Sequence, residues 1–159
     1  MTKRKEAKKA SGKITITNGR LEFMMSSPRF SEAVKKIFPF KISYWIGRAV
    51  DRMDQLIRDF QKSVDQVIEQ YAEKEKDKET GEEKPKRRPD GQVIWGKNGK
   101  LAADALSELR EIEVDLGIDL IEIDLDKLDE YFKGLPAADK SRIPTPDDLA
   151  LLMPFFKPI

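Results

Sequence analysis

The chain has 159 residues, room for one ordinary domain or for a compact domain with an extended arm. Hydrophobic residues make up 39% and charged residues 37%, enough for one core beneath large solvated faces, and the net charge is +1. The absence of Cys and His excludes disulfides, thiol nucleophiles and His-based triads, and neither a metal nor a cofactor is expected.

The first segment is basic. Residues 1–13 carry Lys3, Arg4, Lys5, Lys8, Lys9 and Lys13 against Glu6 alone, a local charge of +5, and read as a flexible arm. No apolar signal core follows it, and no apolar run approaches the ~20 residues of a membrane span, so a soluble, unexported protein with no membrane partner is expected.

Residues 14–159 read as one α+β domain. Ile14-Thr15-Ile16-Thr17 alternates at period two, and Asn18-Gly19 is a tight-turn signal. Arg20–Met25 fits either the second strand of a hairpin or a short helical turn. Ser27 before Pro28 is a cap with Pro at the first helical position, and that helix should run to about Phe38, before Pro39. From Phe40 to about Lys76 there is no Pro, and Ile42, Ile46, Ala49, Met53, Leu56 and Phe60 recur at spacings of four and three. A helix of ~32 residues would be about 48 Å long, which exceeds a domain of about 15 Å radius of gyration. Part of it should therefore project or pack against something else.

Residues 73–91 are nearly all charged, with breakers at Gly81, Pro85 and Pro89, and read as a mobile loop that includes the basic run Lys84-Pro85-Lys86-Arg87-Arg88. A short strand at 92–95 and a helix from about Lys100 to Glu111 follow. The period then returns to two through Ile112, Val114 and Leu116, with a slip at Leu120-Ile121 that suggests a bulge. This stretch is strongly acidic: between Glu111 and Glu130, nine acids face only Lys127. A chain so divided could fold back on itself, associate head to tail, or offer each end to a different partner. Thr145-Pro146-Asp147-Asp148 has the form of a capping box at the start of the last helix. Phe155-Phe156 belongs to an apolar tail that either docks on its own core or offers itself to a partner.

The chemistry-bearing patterns are sparse. Asp124-x-Asp126 resembles the start of a calcium loop, but Leu128 stands at the fifth position and no Gly at the sixth. No Gly-rich phosphate loop occurs, and nothing sets a nucleophile beside a base, so no catalytic residue is assigned. Lys3, Arg4, Lys5, Lys8 and Lys9, with Lys86, Arg87 and Arg88, are the candidate phosphate contacts, although no aromatics interleave them as a stacking platform would require. Tyr44-Trp45 near the start of the long helix is explained either by core packing or by an interface anchor.

Two stretches, Phe38-Pro39-Phe40-Lys41-Ile42-Ser43-Tyr44-Trp45-Ile46-Gly47-Arg48 and Pro146-Asp147-Asp148-Leu149-Ala150-Leu151-Leu152-Met153-Pro154-Phe155-Phe156, resemble a group of small proteins encoded by tailed bacteriophages and prophages. The element order between them is similar too. The resemblance implies no catalytic residue, and it implies a setting among phage structural and lysis genes.

The expected fold is α+β, with one long helix and two or three shorter ones on a small antiparallel sheet from residues 13–17, 92–95 and 112–125. The expected function is non-enzymatic: a phage or prophage virion or assembly component, in a bacterial cytoplasm or incorporated in a virion. It would act through a protein partner or self-association. Trp45, Ile46, Met53 and Phe60 on the long helix, with Phe155 and Phe156, would make the contacts. The alternative is a small regulatory or nucleic-acid-binding accessory protein that uses its basic arm.

Overall fold

A computed structural model describes residues 12–159. The first strand, β1 (Lys13–Thr17), does not turn back on itself at Asn18-Gly19. Thr17 instead caps a helix, α1 (Asn18–Ser26), its hydroxyl accepting from the Arg20 N–H. Asn18 serves a distant element: its side-chain amide donates to the Leu109 carbonyl at 2.9 Å and its backbone N–H to the Ile112 carbonyl at 2.9 Å. Those groups end a later helix, whose last carbonyls need donors. A Cβ on Gly19 would stand 3.2 Å from the Arg110 Cβ, so the glycine admits the close approach of that helix. The strong turn signal thus marks a junction between helices.

Ser27 caps α2 (Pro28–Ala33), which is shorter than expected. Its last turn tightens to bonds of three-residue span, from Lys35 to Glu32 and Lys36 to Ala33, and the Ile37 N–H leaves to bind the Arg142 carbonyl at 2.8 Å. The long helix α3 (Phe40–Tyr71) has 32 residues and buries one stripe: Ile46, Ala49, Met53, Phe60 and Val67. Its expected excess length is covered from within the chain. Ile46, Ala49 and Met53 belong to the main core, while Phe60 and Val67 are buried beyond it.

The charged segment expected as a loop is an antiparallel hairpin of β2 (Lys74–Lys76) and β3 (Glu83–Pro85). It folds back on the end of α3, with the Glu73 N–H donating to the Ile94 carbonyl at 2.9 Å and the Lys86 N–H to the Glu73 carbonyl at 2.7 Å. Opposite charges face one another across and beside it, Lys84 with Asp77 at 3.0 Å and Lys74 with Glu69 of α3 at 2.6 Å, in place of apolar contacts. The expected strand at 92–95 is reduced to one bridge, Arg87 to Val93. Asn98 then ties the end of α3 by donating to the Tyr71 carbonyl, and α4 (Gly99–Glu111) runs back against α3.

Next, β4 (Glu113–Asp119) pairs antiparallel with β1. The register shifts between Thr15 and Lys13, around Gly117 with its φ of +71°, so the irregularity lies nearer Gly117 than the expected slip at Leu120-Ile121. A second strand, β5 (Ile121–Ile123), does not join that sheet. Then comes a helix the alternation did not reveal, α5 (Leu125–Lys133), and after a two-turn 3-10 segment (Ala137–Arg142) α6 (Pro146–Leu152) with the Thr145–Asp148 capping box in place. The last strand, β6 (Phe156–Pro158), pairs parallel with β5.

The fold is therefore α+β, as read, with three two-stranded pairs among the described residues in place of one sheet, and the third pair is parallel. The main core lies where β1, α1, α2, the first half of α3, β4 and the C-terminal segment meet. The tail closes it. Phe155 is fully buried against Phe30, with ring centroids 6.0 Å apart, and Phe156 packs on Phe38 at 6.3 Å.

Replacing a fully buried Phe removes its burial and leaves a cavity, at about 3–5 kcal/mol. Phe155→Ala should lower unfolding free energy in urea by about that amount, whereas Phe40→Ala, on the surface, should stay within about 0.5 kcal/mol of wild type.

Candidate interaction surface

Five of the six residues expected to contact a partner are core. Ile46, Met53, Phe60, Phe155 and Phe156 are all buried, because the apolar stripe of α3 and the apolar tail cover each other and the rest of the domain. Trp45 is the exception, at 38% exposure. It sits on the flank of the stripe, and its ring meets that of Tyr44 edge to face at 5.2 Å.

Two further aromatics belong with it. Phe40, the first residue of α3, is 86% exposed and Tyr44, one turn on, 51%. At about 100° per residue, both fall on the side of the helix away from the stripe through Ile46 and Met53. That angular count is the signal that sets them apart from the core, whereas Phe38, ahead of the helix, packs on Phe132 with ring centroids 6.1 Å apart. Pro39 ends the preceding segment and starts the helix, so the chain changes direction between a buried Phe and an exposed one.

Beside this aromatic end lies a groove of about 620 Å3 between α3 and the β4–β5 segment. Ile42, Trp45, Ile118 and Leu120 line it with apolar surface, and Lys41 and Lys157 are its lining cations without an ion-pair partner among the described residues. Lys13, also on the groove, is held by Asp119 at 2.8 Å, and the hydrogen bond and charge of Asp119 raise its pKa above the ordinary lysine value. Arg48 continues the exposed face of the helix. Exposed aromatics beside cations and a half-buried aliphatic floor make an arrangement able to bind another macromolecule by packing.

The candidate phosphate contacts are not brought to this place as a set. Lys3, Arg4, Lys5, Lys8 and Lys9 lie outside the described residues. On the hairpin, Lys86 stands 4.0 Å from Glu73 and the Arg87 guanidinium donates to the Gly91 carbonyl at 2.9 Å, so only Arg88 of that trio offers its side chain without such a contact. The acidic stretch is a solvated face: Glu113, Asp115, Asp119, Glu122, Asp126, Asp129 and Glu130 are all exposed. Asp124-x-Asp126 is a helix start, since the Asp124 carboxylate accepts from the Asp126 and Lys127 N–H groups. Among the described residues no group of three or more acids is arranged to hold a metal, and no helix is long and apolar enough to cross a membrane.

Compared with family models, with curated proteins and with solved structures, the chain finds no match.

The hairpin tip carries a pH dependence. The Asp77 carboxylate is held below its ordinary value of 3.8, first by the Glu79 N–H and then by the Lys84 ammonium and the Thr80 N–H. Its contribution to the tip is present above that ordinary value and is lost as pH falls through the lowered one. The Glu79 and Thr80 amide shifts should therefore titrate with a midpoint below 3.8, and Asp77→Ala should abolish that titration and displace both signals at neutral pH.

Proposed function

We propose that the chain is a non-enzymatic protein that acts through protein–protein contact, as a virion or assembly component of a phage or prophage. It would work in the bacterial cytoplasm and, once assembled, in the virion. The observation that carries the reading is the exposure of Phe40, Tyr44 and Trp45 side by side at the start of α3, next to a groove where Ile42, Ile118 and Leu120 lie among charged side chains. Burying one large apolar side chain contributes roughly 1.5–3 kcal/mol, and aromatics clustered with cations form the energetic centres of interfaces. A partner that covers them gains that energy without any change in the core, because none of the three side chains is buried.

The resemblance of residues 38–48 and 146–156 to small phage proteins supports the setting, and the lack of His and Cys supports a non-enzymatic role. The second reading, a regulatory or nucleic-acid-binding accessory protein, draws on the arm residues from Lys3 to Lys9. It draws less on the run from Lys84 to Arg88, where three side chains already have partners.

Light scattering behind size exclusion tests the proposal on the full chain and on Phe40→Glu/Tyr44→Glu, at low and high salt. The expected result is a defined wild-type oligomer that survives high salt and is lost in the double variant, with the circular dichroism spectrum unchanged. If the wild type is monomeric, it should retain from its source a protein that the double variant does not. Wild type and variant that behave alike in both assays overturn the reading. So does a salt-labile nucleic-acid complex as the sole association, which would favour the basic arm instead.

A further inference from the structure

A second groove, of about 420 Å3 and more apolar than the first, lies between α5 and the segment that leads into α6, on residues the contact surface does not use. Leu125, Leu128, Phe132, Ile143, Pro144 and Leu149 line it. Its volume falls within the range of small-molecule sites, about 300–1,000 Å3. Leu128 is buried and Phe132 packs on Phe38, so that part of the lining is held by the core, whereas Leu125 is left 54% exposed at the start of α5. Pro144 and Pro146 contribute no N–H to the opposite wall, which therefore presents carbon where another sequence would present a donor.

The charges on the lining are few and unequal. Asp129 and Lys133 neutralise each other at 2.5 Å, one helical turn apart on α5. Lys140 is the remaining lining charge and has no ion-pair partner among the described residues. An apolar trough with one uncompensated cation selects for an elongated apolar body that carries a single negative group: the body removes carbon surface from water, and the cation prefers an anionic head to a neutral or cationic one.

We infer that this groove binds an aliphatic monocarboxylate, with the alkyl chain along Leu125, Phe132 and Leu149 and the carboxylate at the Lys140 ammonium. Binding there is independent of the proposed contact through Phe40, Tyr44 and Trp45, so either can fail without the other.

Three probes with the same alkyl length test it: decanoate, decanol and decyltrimethylammonium. Each is titrated into the full chain below its micelle-forming concentration and followed by amide NMR. Decanoate should give saturable shifts centred on Leu125, Ile143 and Leu149, and should bind about two- to fivefold more tightly than the alkylammonium, the range of an exposed ion pair. Lys140→Glu, an exposed substitution, should weaken decanoate by about the same factor, and Ile143→Trp should fill the trough and abolish the shifts. Equal affinity for the three probes, or decanoate binding unaffected by Lys140→Glu, overturns the assignment of the head group. No saturable shift with decanoate overturns the site. If Ile143→Trp also changes the oligomer size by light scattering while decanoate does not bind, the trough is a protein interface and the inference is likewise overturned.

Discussion

A single apolar stripe on a helix of 32 residues sets the terms for this fold. A stripe that long outruns any one core, so the chain must bring several different elements to cover it. The first half, through Ile46, Ala49 and Met53, joins the main cluster with β1, α1, β4 and the tail. The second half buries Phe60 and Val67, with α4 running back along the helix and the β2–β3 hairpin folded against its end. Each covering element is fastened by a specific polar contact: Asn18 holds the end of α4, Asn98 the end of α3, and Glu73 the hairpin. These contacts satisfy the carbonyls and N–H groups that helix and strand ends leave unpaired.

The reach of a sequence reading follows from which features are local. The Thr145–Asp148 capping box, the Ser27-Pro28 helix start and the span of α3 all depend on residues within one or two turns, and each stands where expected. What pairs with what is not local. Alternation identified β1 and β4 as half-buried strands, but a period of two carries no partner, and the Asn18-Gly19 signal pointed to the wrong neighbour because Asn18 answers to Leu109 and Ile112. The hairpin at 74–85 has no apolar period at all, since its cross-strand contacts are charges.

The candidate site was legible in the same uneven way. Ile46, Met53 and Phe60 were drawn from the stripe, and a stripe is core by construction once the chain can cover it from within. Phe155 and Phe156 look like a free apolar tail only until β5 is seen to accept β6 as a parallel neighbour. Trp45 survives as a surface residue because it lies on the flank. Phe40 and Tyr44 were hidden among neighbouring aromatics in sequence and become distinct only when their angle around the helix is counted.

The parallel pairing of β5 with β6 also orders events in time. Ile121 and Ile123 find their backbone neighbours at Phe156 and Pro158, and β1 finds its own at 113–119. During synthesis β1 emerges long before β4, and the cavity that Phe155 fills stays open until residue 155 has been made. Contacts of such sequence separation form late, because a long loop must close before they stabilise anything. The first half of the α3 stripe can therefore meet α1 and the second half α4 early, as these are its neighbours in sequence, while the seal made by Phe155 comes last.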